Sequence, residues 1–234
     1  MNRKFLKDNW FILSLMAITA VAITVTGIIF HQSFLRILPL YISLMVGLLQ
    51  SRVNRYAPLI GSFNSILYGF VYIYYHLYGS AANAFLVSFP LQLITFIRWN
   101  RNKWGSTTVF RKMDWKQRLL TAAGFGITLL GLQLVLSLTD ANYILLDSTT
   151  TLLGILISFL TMFAFIEYTG LMLVSGLVSI VLYLTMLRDT PEQITYLVFS
   201  LYSYICQLRA FVRARKVYAQ QQTESKQQKE SVEA

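Results

Sequence analysis

Cysteine is almost absent from this 234-residue chain: Cys206 stands alone, inside an apolar stretch, so no disulfide framework can staple the fold. A small buried hydrophobe is the expected role of that thiol. Histidine is nearly as scarce. His31 and His76 both flank apolar runs, and no His/Cys cluster has the spacing of a metal site. No Gly-x-x-x-x-Gly-Lys-Ser/Thr phosphate loop occurs, which argues against ATP-driven work by this chain alone. Ser, His and Asp are nowhere patterned as a catalytic group, so neither an enzyme nor a cofactor is expected. Charge is thin, with 13% charged residues against about 25% in soluble domains. Acid is thinnest: 10 Asp and Glu against 20 Lys and Arg, a net charge of +10.

What fills the chain instead is apolar sequence, 56% of residues with a mean hydropathy of +0.55. A hydrocarbon core of about 30 Å needs roughly 20 apolar residues per helix. Eight runs qualify, at 10–30, 35–50, 58–78, 81–97, 119–138, 149–166, 169–187 and 193–212, so the expected class is an all-α membrane protein with eight transmembrane helices. Cationic side chains near span ends stay cytoplasmic. With eight spans, eighteen of the twenty Lys and Arg fall on one side, and only Arg36 and Arg188 on the other. That predicts a multi-pass protein with both termini in the cytoplasm. It also explains the net charge through anionic lipid headgroups rather than nucleic acid. The first apolar run is longer than a signal core and is not closed by a small-x-small cleavage site, so it reads as an uncleaved anchor.

Weak self-similarity divides the rest. Ser65-Ile-Leu-Tyr68 resembles Ser179-Ile-Val-Leu-Tyr183, and Gln92 with Arg98 recurs as Gln207 with Arg213, displaced by 115 residues. Transporters often carry such repeats. The expected organisation is an N-terminal segment and extra helix (1–34), a 3+1+3 transport core (35–217) and a polar tail (218–234). The triplets lie at about 35–99 and 147–213, and helix 119–138 links them. The Gln-rich tail is expected to be a frayed helix extension or disordered. The loop 98–118 mixes basic residues with Trp99, Trp104 and Trp115, an interfacial belt by composition.

Polar side chains at membrane depth are costly and face protein or a water-filled path. Asn64 and Gln92 carry amides that donate and accept. Tyr68, Tyr72 and Tyr75 recur at helical spacing on the face of Asn64, the wall of a polar pathway or a packing surface. Gln207 is the counterpart of Gln92 nearer the cytoplasm. Asp147-Ser-Thr-Thr150-Thr151 opens the sixth span, where Asp or Ser can cap a helix and the hydroxyls can bond their own backbone or line a pore mouth. Glu167 reads as interfacial, and Asn83 likewise at the outer end.

These residues carry a resemblance. Phe89-Pro-Leu-Gln92-Leu-Ile-Thr-Phe-Ile-Arg-Trp99 is similar to the Pro-Met-Gln-aromatic-x-Gly-Trp-x-x-Trp segment of the PnuC family of bacterial vitamin transporters, with Pro90, Gln92 and Trp99 in agreement. Gly61-Ser-Phe-Asn64-Ser-Ile-Leu-Tyr68 resembles that family's Gly-Leu-Ile-Asn-x-Leu-Leu-Tyr. Asp147-Ser-Thr-Thr150-Thr151-Leu resembles Asp-Ala-x-Thr-Thr-Val-Leu. The resemblance runs from about residue 40 to 213. It implies a SWEET-like 3+1+3 core, a homotrimer and a place in the bacterial cytoplasmic membrane. It further implies facilitated diffusion of a small vitamin or nucleoside, nicotinamide riboside or a relative, trapped by a cytoplasmic kinase. Asn64, Tyr68, Tyr72, Gln92, Thr150, Thr151 and Gln207 are the substrate-binding candidates. One departure bears on the solute: Thr169, Met172 and Gly176 stand where the family carries Trp, Trp and Asn. Thiamine, riboflavin or a deoxynucleoside therefore stay open as solutes, and a non-transporting assembly or sensor protein as a further alternative.

Overall fold

The structure is a computed structural model that describes residues 3–74, 76, 78–138 and 144–233. Apolar runs become helices because a backbone in hydrocarbon must satisfy its own hydrogen bonds. α1 covers Arg3–Ile29, α2 Phe34–Ser51 and α3 Ala57–Tyr74. α4 (Tyr78–Asn83) continues through a π-helical turn (Ala84–Ser88) into α5 (Phe89–Arg101). α6 spans Trp115–Leu136, α7 Ile144–Met162, α8 Tyr168–Met186 and α9 Ile194–Glu233. Six of the helical segments are long and apolar enough to cross a bilayer by themselves: Asn9–Ile29, Phe34–Ser51, Ala81–Arg101, Trp115–Val135, Ile144–Met162 and Tyr168–Met186. α3 and α9 are the other two expected spans. Asn64 and a series of tyrosines and serines interrupt the apolar surface of α3, and α9 runs on into a polar extension.

The helices close a ring. α2 packs on α3, α3 on α5, α5 on α7, α7 on α8, α8 on α9, and α9 back on α2. Two helices stand outside it. α1 lies across α2 and α9, where Ile12, Ile23, Leu40, Leu44, Tyr202 and Cys206 form a buried cluster. Cys206 is a free, buried thiol there, in keeping with its apolar surroundings. α6 packs on α7.

Local chemistry sets several boundaries away from the sequence expectation. The sixth apolar run begins at Ile144 rather than 149, because Ser148 and Thr149 donate to Ile144 O and Leu145 O (both 2.6 Å), and Thr150 donates to Leu146 O. Asp147 thus lies inside the first turn instead of capping it. That helix ends early because Ala164 takes a positive φ of 56°, and the following backbone pairs with Arg111. The third helix ends at Tyr74, so Tyr78 starts the next element; Tyr75 lies outside the described residues. Pro90 lacks an N–H and its ring crowds the preceding turn. The π turn sits immediately before it, with Phe89 N–H donating to Ala84 O.

The long basic loop folds into a two-stranded hairpin, Lys103–Trp104 against Thr107–Thr108. Beyond the return strand the chain pairs again, through an isolated parallel bridge between Arg111 and Phe165. Arg111 N–H donates to Ala164 O and Ile166 N–H donates to Arg111 O, 2.9 Å each. The polar tail is helical through Glu233 and grips the same loop. Gln221, 8% exposed, accepts from Phe110 N–H and donates to Thr108 O, both at 2.9 Å, and Trp104 Nε1 donates to Glu224 at 3.1 Å.

Candidate solute cavity

A cavity of about 360 Å³ lies at the centre of the ring, and every ring helix supplies wall to it. Asn64, Ser65 and Tyr68 project from α3, Gln92, Thr95 and Trp99 from α5, Ser158 and Thr161 from α7, Tyr168 and Met172 from α8, and Ala210 from α9. Gln50 at the end of α2 and Asn54 beyond it add two further amides. The described lining contains no Lys, Arg, His, Asp or Glu.

The two amides at its heart are held differently. Asn64 is 5% exposed, and its Nδ2 donates to Ser43 Oγ at 2.8 Å. Its carbonyl oxygen is buried with no partner among the described residues. An unpaired buried acceptor costs about 1–3 kcal/mol, so this oxygen is poised to accept from a polar solute. Gln92 Nε2 donates to Ser65 Oγ at 2.9 Å. Its carboxamide rests on Gly61, where any side-chain carbon would collide with Oε1.

That last arrangement occurs twice. Gln207, 115 residues on, rests its Oε1 on Gly176, itself 115 residues beyond Gly61. Gln207 Nε2 donates to Ser203 at 3.2 Å, while its Oε1 is buried and unpartnered among the described residues. Gln207 packs between α8 and α9 and does not line the central cavity. Gly176 holds the position where the family pattern carries Asn, and Gln207 occupies the space a side chain there would need.

The remaining candidates lie around the cavity rather than in one cluster. Tyr68 stacks on Tyr72 with ring centroids 5.8 Å apart, but only Tyr68 reaches the wall. Tyr183, the repeat counterpart of Tyr68, stacks on Tyr196 at the same separation. Arg36 bonds Tyr196 Oη and pairs with Glu192 at 3.1 Å, so one of the two cations expected outside the cytoplasmic cluster has a local counter-charge. Thr150 and Thr151 line a neighbouring cavity of about 270 Å³, together with Asn83. Ser88, in the π turn, and Ser158 line both cavities and so separate the two spaces.

Sequence reasoning missed the floor. Trp99, read as part of an interfacial belt, is 3% exposed and donates its Nε1–H to Thr161 O at 2.8 Å. Trp99, Phe110 and Tyr168 form a mutually packed aromatic triangle, with centroids 5.9 to 6.3 Å apart. Val53, Met113, Met172 and Ala214 complete this plug between cavity and hairpin. Val53 holds a φ of 52°, a strained setting for a β-branched residue. Only the resemblance of Pro90, Gln92 and Trp99 to the family's segment linked Trp99 with the site residues.

A ring of apolar helices around a cavity set with amides and hydroxyls is the architecture of a membrane transporter. The profile of the nicotinamide mononucleotide transporter family matches residues 33–211. The chain belongs to that family. Its fold is shared with the crystal structure of the vitamin B3 transporter PnuC, with a TM-score of 0.72 and 18% identity over 90% of this chain and 91% of that one. No curated protein matches the sequence.

Proposed function

We propose that this chain carries nicotinamide riboside, or a closely related uncharged-sugar vitamin or nucleoside, rather than its phosphorylated form. The observation behind this reading is the lining: amides, hydroxyls and aromatic faces, with no basic side chain among the described residues. A buried phosphate without a partner charge is strongly disfavoured. A pyridinium ring needs no counter-ion if aromatic faces are near, and Trp99, Tyr168 and Tyr68 provide them. They also stand in for the tryptophans replaced by Thr169 and Met172.

Transport is by facilitated diffusion. A carrier of equal affinity on both sides cannot concentrate its solute, so a cytoplasmic kinase that phosphorylates the arriving molecule sets direction. The triplets α2–α5 and α7–α9 rock about the cavity, with α6 as the linker, α1 as an added anchor and eight crossings in all. The repeated glutamine-on-glycine packing supports that division. The basic end faces the cytoplasm of a bacterial inner membrane, and the protein works as a homotrimer. The Trp99–Phe110–Tyr168 plug is the closed inner gate. Asn64 and Gln92 orient the solute, with Thr150 and Thr151 on the outer approach and Gln207 serving the second triplet as Gln92 serves the first.

A thermal-shift panel tests the solute. Nicotinamide riboside at about 100 times its Kd raises stability by roughly 2.7 kcal/mol; the mononucleotide does not, and Asn64→Ala abolishes the gain. Stabilisation by thiamine, riboflavin or a deoxynucleoside alone reassigns the solute. Stabilisation by the mononucleotide alone overturns the reading of the uncharged lining.

A further inference from the structure

A second, larger space of about 770 Å³ lies apart from the solute cavity, between α6 and the α7–α8 pair. Its two ends differ in chemistry. At one end Lys112, Arg118 and Arg215 gather with a single acid, Glu167. Arg118 pairs with that acid at 2.6 Å, and Glu167 also accepts from Met113 N–H at 3.1 Å. Even so, Arg118 Nε and Glu167 Oε2 are buried without a hydrogen-bond partner. Arg215 lies over the Phe211 ring, which fixes the height of its charge beside the slot. Three cations against one carboxylate leave an excess of two positive charges.

Deeper in, the walls are apolar. Phe125 on α6 faces Leu153, Leu156 and Leu160 on α7 and Val174 on α8. The seven-residue step from Arg118 to Phe125 carries the slot about 10 Å along the helix axis. α6 does little to close it, since none of its span is buried in the bundle. An apolar slot of this depth between spanning helices does not stay empty in a bilayer, and water has no polar partners at its deep end. An inorganic anion would satisfy the charged mouth but not the walls.

We infer that this slot is a binding site for one anionic phospholipid, its phosphate held by Lys112, Arg118 and Arg215 and one acyl chain lying along α6 against α7 and α8. The lipid occupies the gap between the linker helix and α8, and so sets how α6 rides on the second triplet. The site is independent of the transported solute.

Native mass spectrometry of the detergent-purified full chain tests it, with phosphatidylglycerol and phosphatidylcholine of matched chains as probes. At about 1 kcal/mol for each uncompensated cation near the headgroup, phosphatidylglycerol binds about 30-fold more tightly, one per chain. Lys112→Gln with Arg215→Gln removes the preference while leaving the Arg118–Glu167 pair in place. Ala122→Trp, which fills the slot from the exposed side of α6 without changing charge, lowers the affinity for both lipids. Equal affinity for the two lipids in the wild-type chain, an unchanged preference in the Lys112→Gln, Arg215→Gln chain, or unchanged affinity for both lipids in Ala122→Trp overturns the site. So does displacement of phosphatidylglycerol by inorganic phosphate, which would mark a free-anion site. A disulfide between two copies through Ala122→Cys, formed at the expense of lipid, would show the slot covered by a second chain and also overturn it.

Discussion

Asn64 spends its amide N–H on Ser43 and keeps a buried carbonyl oxygen unpaired. Asn64→Ala therefore removes the proposed solute contact without stranding a buried partner other than a serine hydroxyl, which already donates to Pro39 O. Uptake should fall about 10- to 100-fold, with insertion and elution unchanged; uptake at the wild-type rate would remove Asn64 from the site. Gly61→Ala makes a different demand. Its new Cβ displaces the Gln92 carboxamide, so the variant should lose uptake as Gln92→Ala does, at a stability cost of about 1–3 kcal/mol. Wild-type uptake in Gly61→Ala would mean that the resting position of Gln92 is immaterial. Asn64 and Gln92 were legible in the sequence because an amide within hydrocarbon needs a polar reason to be there. Trp99 was not, because a tryptophan beside basic residues has the composition of an interfacial belt. Tyr168 is buried only once loop 102–113 folds back beneath it, and no local pattern announces that.

The helices themselves were legible, since each apolar run produced one. Their ends were less so. The serine and threonines after Asp147 look like a cap, yet their hydroxyls bond the preceding carbonyls and let the helix start earlier. The tail past residue 217 has little to bury by composition, but Gln221 finds backbone partners more than a hundred residues away. This makes the C-terminal helix a strap on the hairpin beneath the cavity. Gln221→Ala should speed amide exchange at Phe110 and across the hairpin and cost about 1–3 kcal/mol, measured by hydrogen exchange. Unchanged protection of Phe110 would show that the strap does not hold the loop.

At the scale of the whole molecule, the charge split and the closed ring fix different things. The split carries the proposed orientation, with both termini in the cytoplasm, and the ring encloses the cavity that the proposed triplets share. A cysteine introduced at Asp189 should react with an impermeant maleimide in intact cells, and one at Lys226 only after permeabilisation, with Cys206 replaced; the reverse pattern would invert the topology. The size and polarity of the cavity could not be read from the sequence, because its wall comes from six helices and the segments between them. Its lack of charge is a property of that assembly. Counterflow into proteoliposomes tests this most directly, with labelled nicotinamide riboside and its mononucleotide offered separately to the purified chain. The uncharged lining predicts exchange of the riboside and none of the mononucleotide, with riboside exchange by Asn64→Ala lowered about 10- to 100-fold. Exchange of the mononucleotide at a rate equal to or above that of the riboside would contradict it.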